Sequence, residues 1–325
     1  MRISIDVMGG DFAPRVVIEG AKLAYKELGE LIEIYLVGNE EVIKKFSIPS
    51  KFKIVDAHQV IEPHESPMDA YRKKKDSSIA LSIGLQKERE VNASLSAGNT
   101  GAVVAFSILS LGRLSGVDRP ALTTFFPSKT GHTLVLDVGA NASVKPANLR
   151  DFGVMGSLYL EKVFKIEKPS VGLLSMGEEE TKGGKEITRA HNLLANTDIN
   201  FAGNIEGHDI LEGRTDVVVC DGFTGNSVLK FGESLVDFMI SHIKNESKSS
   251  LRTSIGGILM KPVFKSLLEM VNYEEYGGAI LLGINGISVV CHGKSRSTAI
   301  RNAILSAYKF YDLNVNTLIM ESLGE

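Results

Sequence analysis

The chain has little cysteine, no tryptophan and no marked excess of either charge. Two cysteines in 325 residues exclude a disulfide framework and fit a reducing compartment. Lys and Arg number 36 against 39 Asp and Glu, a net charge of −3, so no global positive field marks a nucleic-acid binder. Long apolar runs are missing too. The longest, "GGAILLGINGISVVC" (277–291), is too short to span a bilayer and is broken at Asn285-Gly286. The opening "MRISIDVMGG" is too short and too acidic for a signal peptide and reads as a first strand. The seven histidines show no metal-ligand spacing, so no metal is expected. Neither GxxxxGK[ST] nor GxGxxG occurs in a usable place, which leaves ATP and nicotinamide weakly supported and no cofactor expected.

What is present is an alternation. Short β-rich runs at 32–38, 91–98, 132–139, 170–177 and 215–222 each end at or beside a glycine. Helical periods follow at 14–28, 100–114, 147–164, 184–196, 225–245 and 297–320. This predicts an α/β sheet with helices on both faces, 1–325 as one large domain with room for a cleft between two lobes. Two apolar runs within 279–290 meet at Asn285-Gly286, a hairpin signal, so the sheet is expected to be mixed. One segment departs from the pattern. At 249–273, Leu251, Ile255, Ile258 and Leu259, then Val263, Phe264, Leu267, Leu268 and Val271, fall at helical spacing around Pro262. An apolar helical hairpin over 246–273 is expected there, with Arg252, Lys261 and Lys265 beside it.

In open α/β sheets ligands bind beyond the carboxyl ends of the strands. Those ends read "VMGGDFAP", "LSAGNTGA", "LDVGAN", "SMGEEETKGGKE", "CDGFTGN" and "CHGKSRS". Taken as loops at one sheet edge, they offer glycines, hydroxyls, amides and helix starts that favour an anion. The ordinary alternative is that glycine ends strands while Asn or Thr caps helices. Gly9-Gly10, between Asp6 and Asp11, would permit close approach to the backbone. Cys220 and Cys291 end apolar runs and read as buried, inert thiols. The basic run Arg72, Lys73, Lys74, Lys75 is either a solvated face or a docking patch for an acidic partner.

Together, "IDVMGGDFAP", "SAGNTGA", "DRPAL", "LDVGAN", "GEEETKG", "DGFTGN" and "YGGA" occur in an order that resembles the bacterial phosphate acyltransferases of phospholipid synthesis, across nearly the whole chain. The resemblance implies a three-layer α/β/α fold, isopropylmalate-dehydrogenase-like or phosphate acetyltransferase-like. It implies transfer of a fatty acyl chain from acyl carrier protein to inorganic phosphate, in a dimer at the cytoplasmic face of the membrane. The product would serve a membrane glycerol-3-phosphate acyltransferase. It also implies catalytic roles for Lys182 and Asn226, although the following Gly184-Lys185 departs from the family's shorter loop and makes Lys185 a competitor. Phosphate is its own nucleophile in such a reaction, so the site needs positioning and oxyanion donors. Thr224 would orient beside Asn226. Ser96, Asn99, Thr100, Asn141 and Ser295 are candidate phosphate ligands, with Gly9, Gly10, Asp11 and His292 lining the site. Asp6 and Asp11 are expected to fix the first loop by accepting backbone N–H bonds. Arg72 to Lys75 become the expected carrier-docking patch. Ile255, Ile258, Leu259, Met260, Val263 and Phe264 are the expected membrane-facing tip, a dimer interface or core packing being the other readings. Alternatives are a coenzyme A-dependent short-chain phosphate acyltransferase, a nicotinamide-dependent hydroxy-acid dehydrogenase on the related fold, and a non-catalytic membrane-associated scaffold.

Overall fold

The computed structural model describes residues 1–270 and 277–324. Of the apolar pattern at 249–273, the side chains of Leu251, Leu267 and Leu268, and Val271 altogether, lie outside what is described, as does Tyr276. Eleven strands form one sheet in the order β3 (Lys53–Asp56), β2 (Glu33–Gly38), β1 (Arg2–Asp6), β4 (Ala93–Ser96), β11 (Ser288–Val290), β10 (Ala279–Leu282), β5 (Ala121–Ser128), β6 (Gly131–Leu136), β9 (Val217–Val219), β7 (Ser170–Leu174), β8 (Asn200–Ile205). The expected hairpin at Asn285-Gly286 is present as antiparallel β10 and β11.

Side-chain alternation builds three layers. Neighbouring residues of a strand point to opposite faces. Leu134, Leu136, Val217, Val219, Ile280, Leu282 and Val289 belong to one buried cluster, and the intervening Val135, Val218, Leu281 and Val290 to a second. The first face is covered by α1 (Arg15–Leu28), α6 (Pro146–Tyr159), α7 (Gly184–Ala195), α12 (Ser297–Asp312) and α13 (Val315–Leu323). The second is covered by α3 (Pro67–Lys73), α4 (Ser78–Lys87), α5 (Thr100–Leu111), α8 (Asp209–Glu212) and the base of α9 (Gly222–Glu246). Short α2 (Glu40–Ile43) joins β2 to β3. Fully buried side chains such as Phe152 and Met155 of α6 stabilise this packing by about 1.5–3 kcal/mol each. The expected apolar hairpin is α10 (Leu251–Leu259) followed by α11 (Lys261–Met270).

Strand direction corrects one expectation. The flank β3-β2-β1-β4-β11 is parallel throughout, and so is β6-β9-β7-β8. Three antiparallel pairings, β11–β10, β10–β5 and β5–β6, lie between them. Three reversals make the two flanks run in opposite senses. The glycine loops therefore do not share one sheet edge; they form two groups.

Candidate functional site

The first group lies beyond β1, β4 and β11, whose ends are level through the pairings of Asp6 with Ser96 and Ser96 with Val290. Asp6 is buried and accepts N–H bonds from Met8 (3.0 Å) and Gly9 (3.2 Å) and the Ser96 hydroxyl (2.6 Å). Burial pushes its carboxyl above the usual range, and the Ser96 hydroxyl and the two N–H groups oppose that. Gly9 is packed so tightly that a Cβ would lie 2.6 Å from the Gly98 nitrogen. Asp6 thus holds the loop as expected. Asp11 does so differently: its side chain is exposed, and its own N–H donates to the Gly293 carbonyl at 2.8 Å.

Several candidate ligands of this group are engaged inside the protein. Ser96 also accepts the Gly98 N–H (3.0 Å). Asn99 caps α5 by accepting the Ala102 N–H (3.0 Å), and its amide donates to the carbonyls of Glu62, Pro63 and Glu65. Its expected role as a phosphate ligand gives way to the helix-capping alternative. Ser295 is buried, Thr100 is exposed at the start of α5, and Gly10 adopts φ +105° against Ala97. Lys74, in the basic run, turns inward to bond the Glu65 carboxylate (2.5 Å) and the Val60 carbonyl (2.6 Å). The run is therefore not four solvated cations; Arg72, Lys73 and Lys75 remain exposed.

The second group lies beyond β6, β9 and β7, level through Leu136–Val219 and Val219–Leu173. Its hub is Asp137, buried, taking N–H bonds from Leu122, Gly139, Ala140 and Asn141 and one from the Asn141 side-chain amide. Burial raises its carboxyl above the ordinary value against the pull of those donors. Asn141 is buried and also donates to the Pro120 carbonyl (2.6 Å), so it ties the loop to "DRPAL" and is not open to an incoming anion. Asp221 caps α9, accepting the Thr224 N–H (2.9 Å) and hydroxyl (2.7 Å). Thr224 is thus a capping residue. Asp137 and Asp221 lay inside "LDVGAN" and "DGFTGN"; the signal for them was an aspartate at a strand end, the same pattern as Asp6.

Among the residues singled out in the "EEETKGGK" and "DGFTGN" loops, three side chains are left open. Asn226 is exposed on the first turn of α9 and, among the described residues, its amide has no hydrogen-bond partner. It faces Gly139, where φ is +139° and even a Cβ would stand 3.8 Å from the Asn226 Oδ1. Lys182 is exposed in the β7–α7 loop, its stem over Gly177, and Lys185 is exposed in the first turn of α7. Neither amine is paired with a carboxylate among the described residues. The two cysteines are buried as expected, and burial pushes the Cys291 thiol up to about 12 and the Cys220 thiol higher still.

The groups are joined by α9. Its base belongs to the second; three turns on, Glu233 lies 3.7 Å from the Nε2 of His292, and Asp237 lies 3.5 Å from Lys294, both in the first. At 1.5 Å per residue the two ends of that span are roughly 17 Å apart. The Nδ1 of His292 accepts the Lys294 N–H (3.1 Å), which leaves Nε2 to face Glu233.

The fold of this chain is shared with solved phosphotransacylases. A phosphotransacetylase from Streptococcus pyogenes matches with a TM-score of 0.63 at 16% identity, over 96% of this chain and 94% of that one. A branched-chain phosphotransacylase from Enterococcus faecalis V583 matches at 0.56 and 13%, over 94% and 98%. The 4-hydroxythreonine-4-phosphate dehydrogenase of Klebsiella pneumoniae shares the fold at 0.52 and 14%, over 95% and 97%. A family model described as fatty acid synthesis protein matches residues 1–318. A phosphate acyltransferase from Heliobacterium modesticaldum is 46% identical over 329 residues, 99% of this chain and 98% of the relative. One from Halothermothrix orenii is 46% identical over 332 residues, covering 100% and 99%. The chain belongs to this phosphate acyltransferase family and is an acyltransferase.

Proposed function

We propose that the protein moves a long-chain acyl group from acyl carrier protein to inorganic phosphate, giving acyl phosphate for phosphatidic acid synthesis. The observation that carries this reading is the open Asn226 amide at the glycine-floored end of β6 and β9, with the Lys182 loop on the adjacent strand. Phosphate supplies the nucleophilic oxygen. The Lys182 ammonium offsets phosphate charge. The Asn226 N–H donates to the oxyanion that forms when the thioester carbonyl becomes tetrahedral. Collapse of that intermediate breaks the C–S bond and releases the carrier as a thiolate, which takes up the proton that the attacking hydrogen phosphate gives up, leaving acyl phosphate and the carrier thiol. The defining measurement is thiol release from long-chain acyl carrier protein with and without phosphate. Release that depends on phosphate, with acyl phosphate as product, supports the reading; release that ignores phosphate describes a thioesterase and ends it.

The same reading includes a homodimer and peripheral contact with the inner face of the cell membrane. Among the described residues no helix is long and apolar enough to cross a bilayer. Yet Ile258 is 72% exposed and Leu259 75%, with Ile255, Met260 and Val263 also exposed and Lys261 and Lys265 beside them. Phe264 instead turns toward a groove of about 520 Å³ between α9 and the hairpin, lined by Met239, Ile240, Ile243 and Ile258. Phe231, Leu235, Phe238 and Met239 make an exposed stripe on α9 that a second copy would cover. Ile258→Glu with Leu259→Glu is expected to abolish sedimentation with anionic vesicles while turnover and the dimer persist. Dissociation or unfolding of that variant would show the tip to be structural.

A further inference from the structure

The end of the sheet that carries Asn226 is bordered by cations outside the run at 72–75. Arg113, Arg119 and Lys145 surround one carboxylate, Asp118, and the charges of all three act on it. A chain of contacts fixes the cluster. Arg113 bonds the Asp118 carboxylate (3.1 Å), Asn148 donates to its other oxygen (3.0 Å), and the Lys145 N–H donates to Asn148 (2.9 Å). Arg119 precedes Pro120, the residue whose carbonyl receives the Asn141 amide. All three cations are exposed, and neither the Arg119 guanidinium nor the Lys145 amine has a carboxylate within ion-pair distance among the described residues. The cluster borders β5 and β6; Lys182 borders β7. With strands about 4.8 Å apart, the cations stand on both sides of the Asn226 loop across roughly 14 Å. Arg72, Lys73 and Lys75, by contrast, belong to α3 and its end, the helix whose Pro67 packs on Gly101 beside the first group of loops.

Resting on the reading above, we infer that the surface of Arg113, Arg119 and Lys145 is where the acidic face of the acyl-bearing carrier protein docks, and that the run at 72–75 is not. A carrier seated there delivers its thioester over the end of β6, directly to Asn226. Cations at the rim of such a contact govern encounter and its salt dependence more than the chemical step.

The test is steady-state kinetics of Arg119→Glu with Lys145→Glu beside Arg72→Glu with Lys73→Glu. The first pair is expected to raise the apparent KM for long-chain acyl carrier protein about tenfold or more, to flatten its salt dependence, and to leave kcat within about twofold. The second pair is expected to leave KM within about twofold. A small acyl thioester of N-acetylcysteamine, which has no protein to dock, should be turned over alike by all forms and so reports an intact fold. An unchanged carrier KM in the first pair overturns the inference, as does an effect confined to the second. A KM for acyl-coenzyme A that rises as much as the carrier's also overturns it, because the cations then read nucleotide phosphates. If the parent protein itself shows no phosphate-dependent turnover of the carrier thioester, the proposed function falls and the docking surface with it. If the parent is active and the first pair matches it, only the docking surface falls.

Discussion

Lys182→Ala is expected to lower phosphate-dependent turnover about 100-fold, some 2.7 kcal/mol of transition-state stabilisation, while Lys185→Ala stays within about threefold of the parent. Lys182 follows β7, which pairs directly with β9, so its loop is one strand spacing from the start of α9. That loop is braced: the Lys182 N–H donates to the Glu179 carbonyl at 2.9 Å, Asn204 holds the same carbonyl at 2.9 Å, and Arg214 grips Glu178. Lys185 rides one turn further, on a helix whose first residues are exposed. The loop's additional lysine is thus the less constrained one, and a constrained charge is worth more at a transition state than one that must be ordered first. The two variants, compared by kcat at saturating phosphate and by thermal melting, decide between them. The opposite pattern would move the role to Lys185.

Gly225→Ala is expected to destabilise the fold by about 3 kcal/mol or more and to cost turnover at least as much as Lys182→Ala. A Cβ at that position would lie 2.0 Å from the Asp137 carbonyl oxygen and 3.0 Å from the Cys220 sulfur. The first neighbour is backbone, pinned because the Asp137 carboxylate gathers five N–H donors. The helix must therefore withdraw from β6, and Asn226, the next residue, moves with it. Gly184→Ala is the comparison: φ there is +80°, and nothing lies within 4 Å, so only backbone strain of about 1–2 kcal/mol is expected. Denaturant melts and turnover of both variants measure the difference. Parent-like behaviour of Gly225→Ala would mean that α9 does not seat on Asp137 as described.

How much of this could be seen in the sequence depended on strand composition. β2, β4, β6, β7, β9 and the β10–β11 hairpin are apolar runs closed by glycine, and each was legible. Three strands were not. β3 has only four residues and ends the sheet. β8 contains Gly203 at φ +94°, where its register with β7 shifts. β5, "ALTTFFPS", carries Thr, Pro and Ser that blur its period. Missing β5 mattered most. Its pairing with β6 is the third reversal, and without it all glycine loops fall on one edge. α4 also escaped, because its buried face mixes Ile79 and Ile83 with polar Ser78, Ser82 and Gln86, which blurs the helical period: Ser82 bonds Ser4 of β1 at 2.9 Å. Asn226 and Lys182, the residues named through motif resemblance, are side chains that the structure leaves open. Asn99, Asn141 and Thr224 have side chains suited to a ligand, but the same groups suit caps and loop ties, and only spatial partners distinguish these uses.

Helix α9 has a mechanical consequence. Its 25 residues extend roughly 37 Å, yet only Gly222 and Gly225 are buried. It is a cantilever, rooted at Asp221 and Asp137, propped partway by His292 and Lys294, and exposed along the face of its outer half that bears Phe238 and Met239, with the helical hairpin beside it. The load on a cantilever is greatest at its root. Whatever grips the outer half of this beam exerts a torque at Gly225, one residue from Asn226.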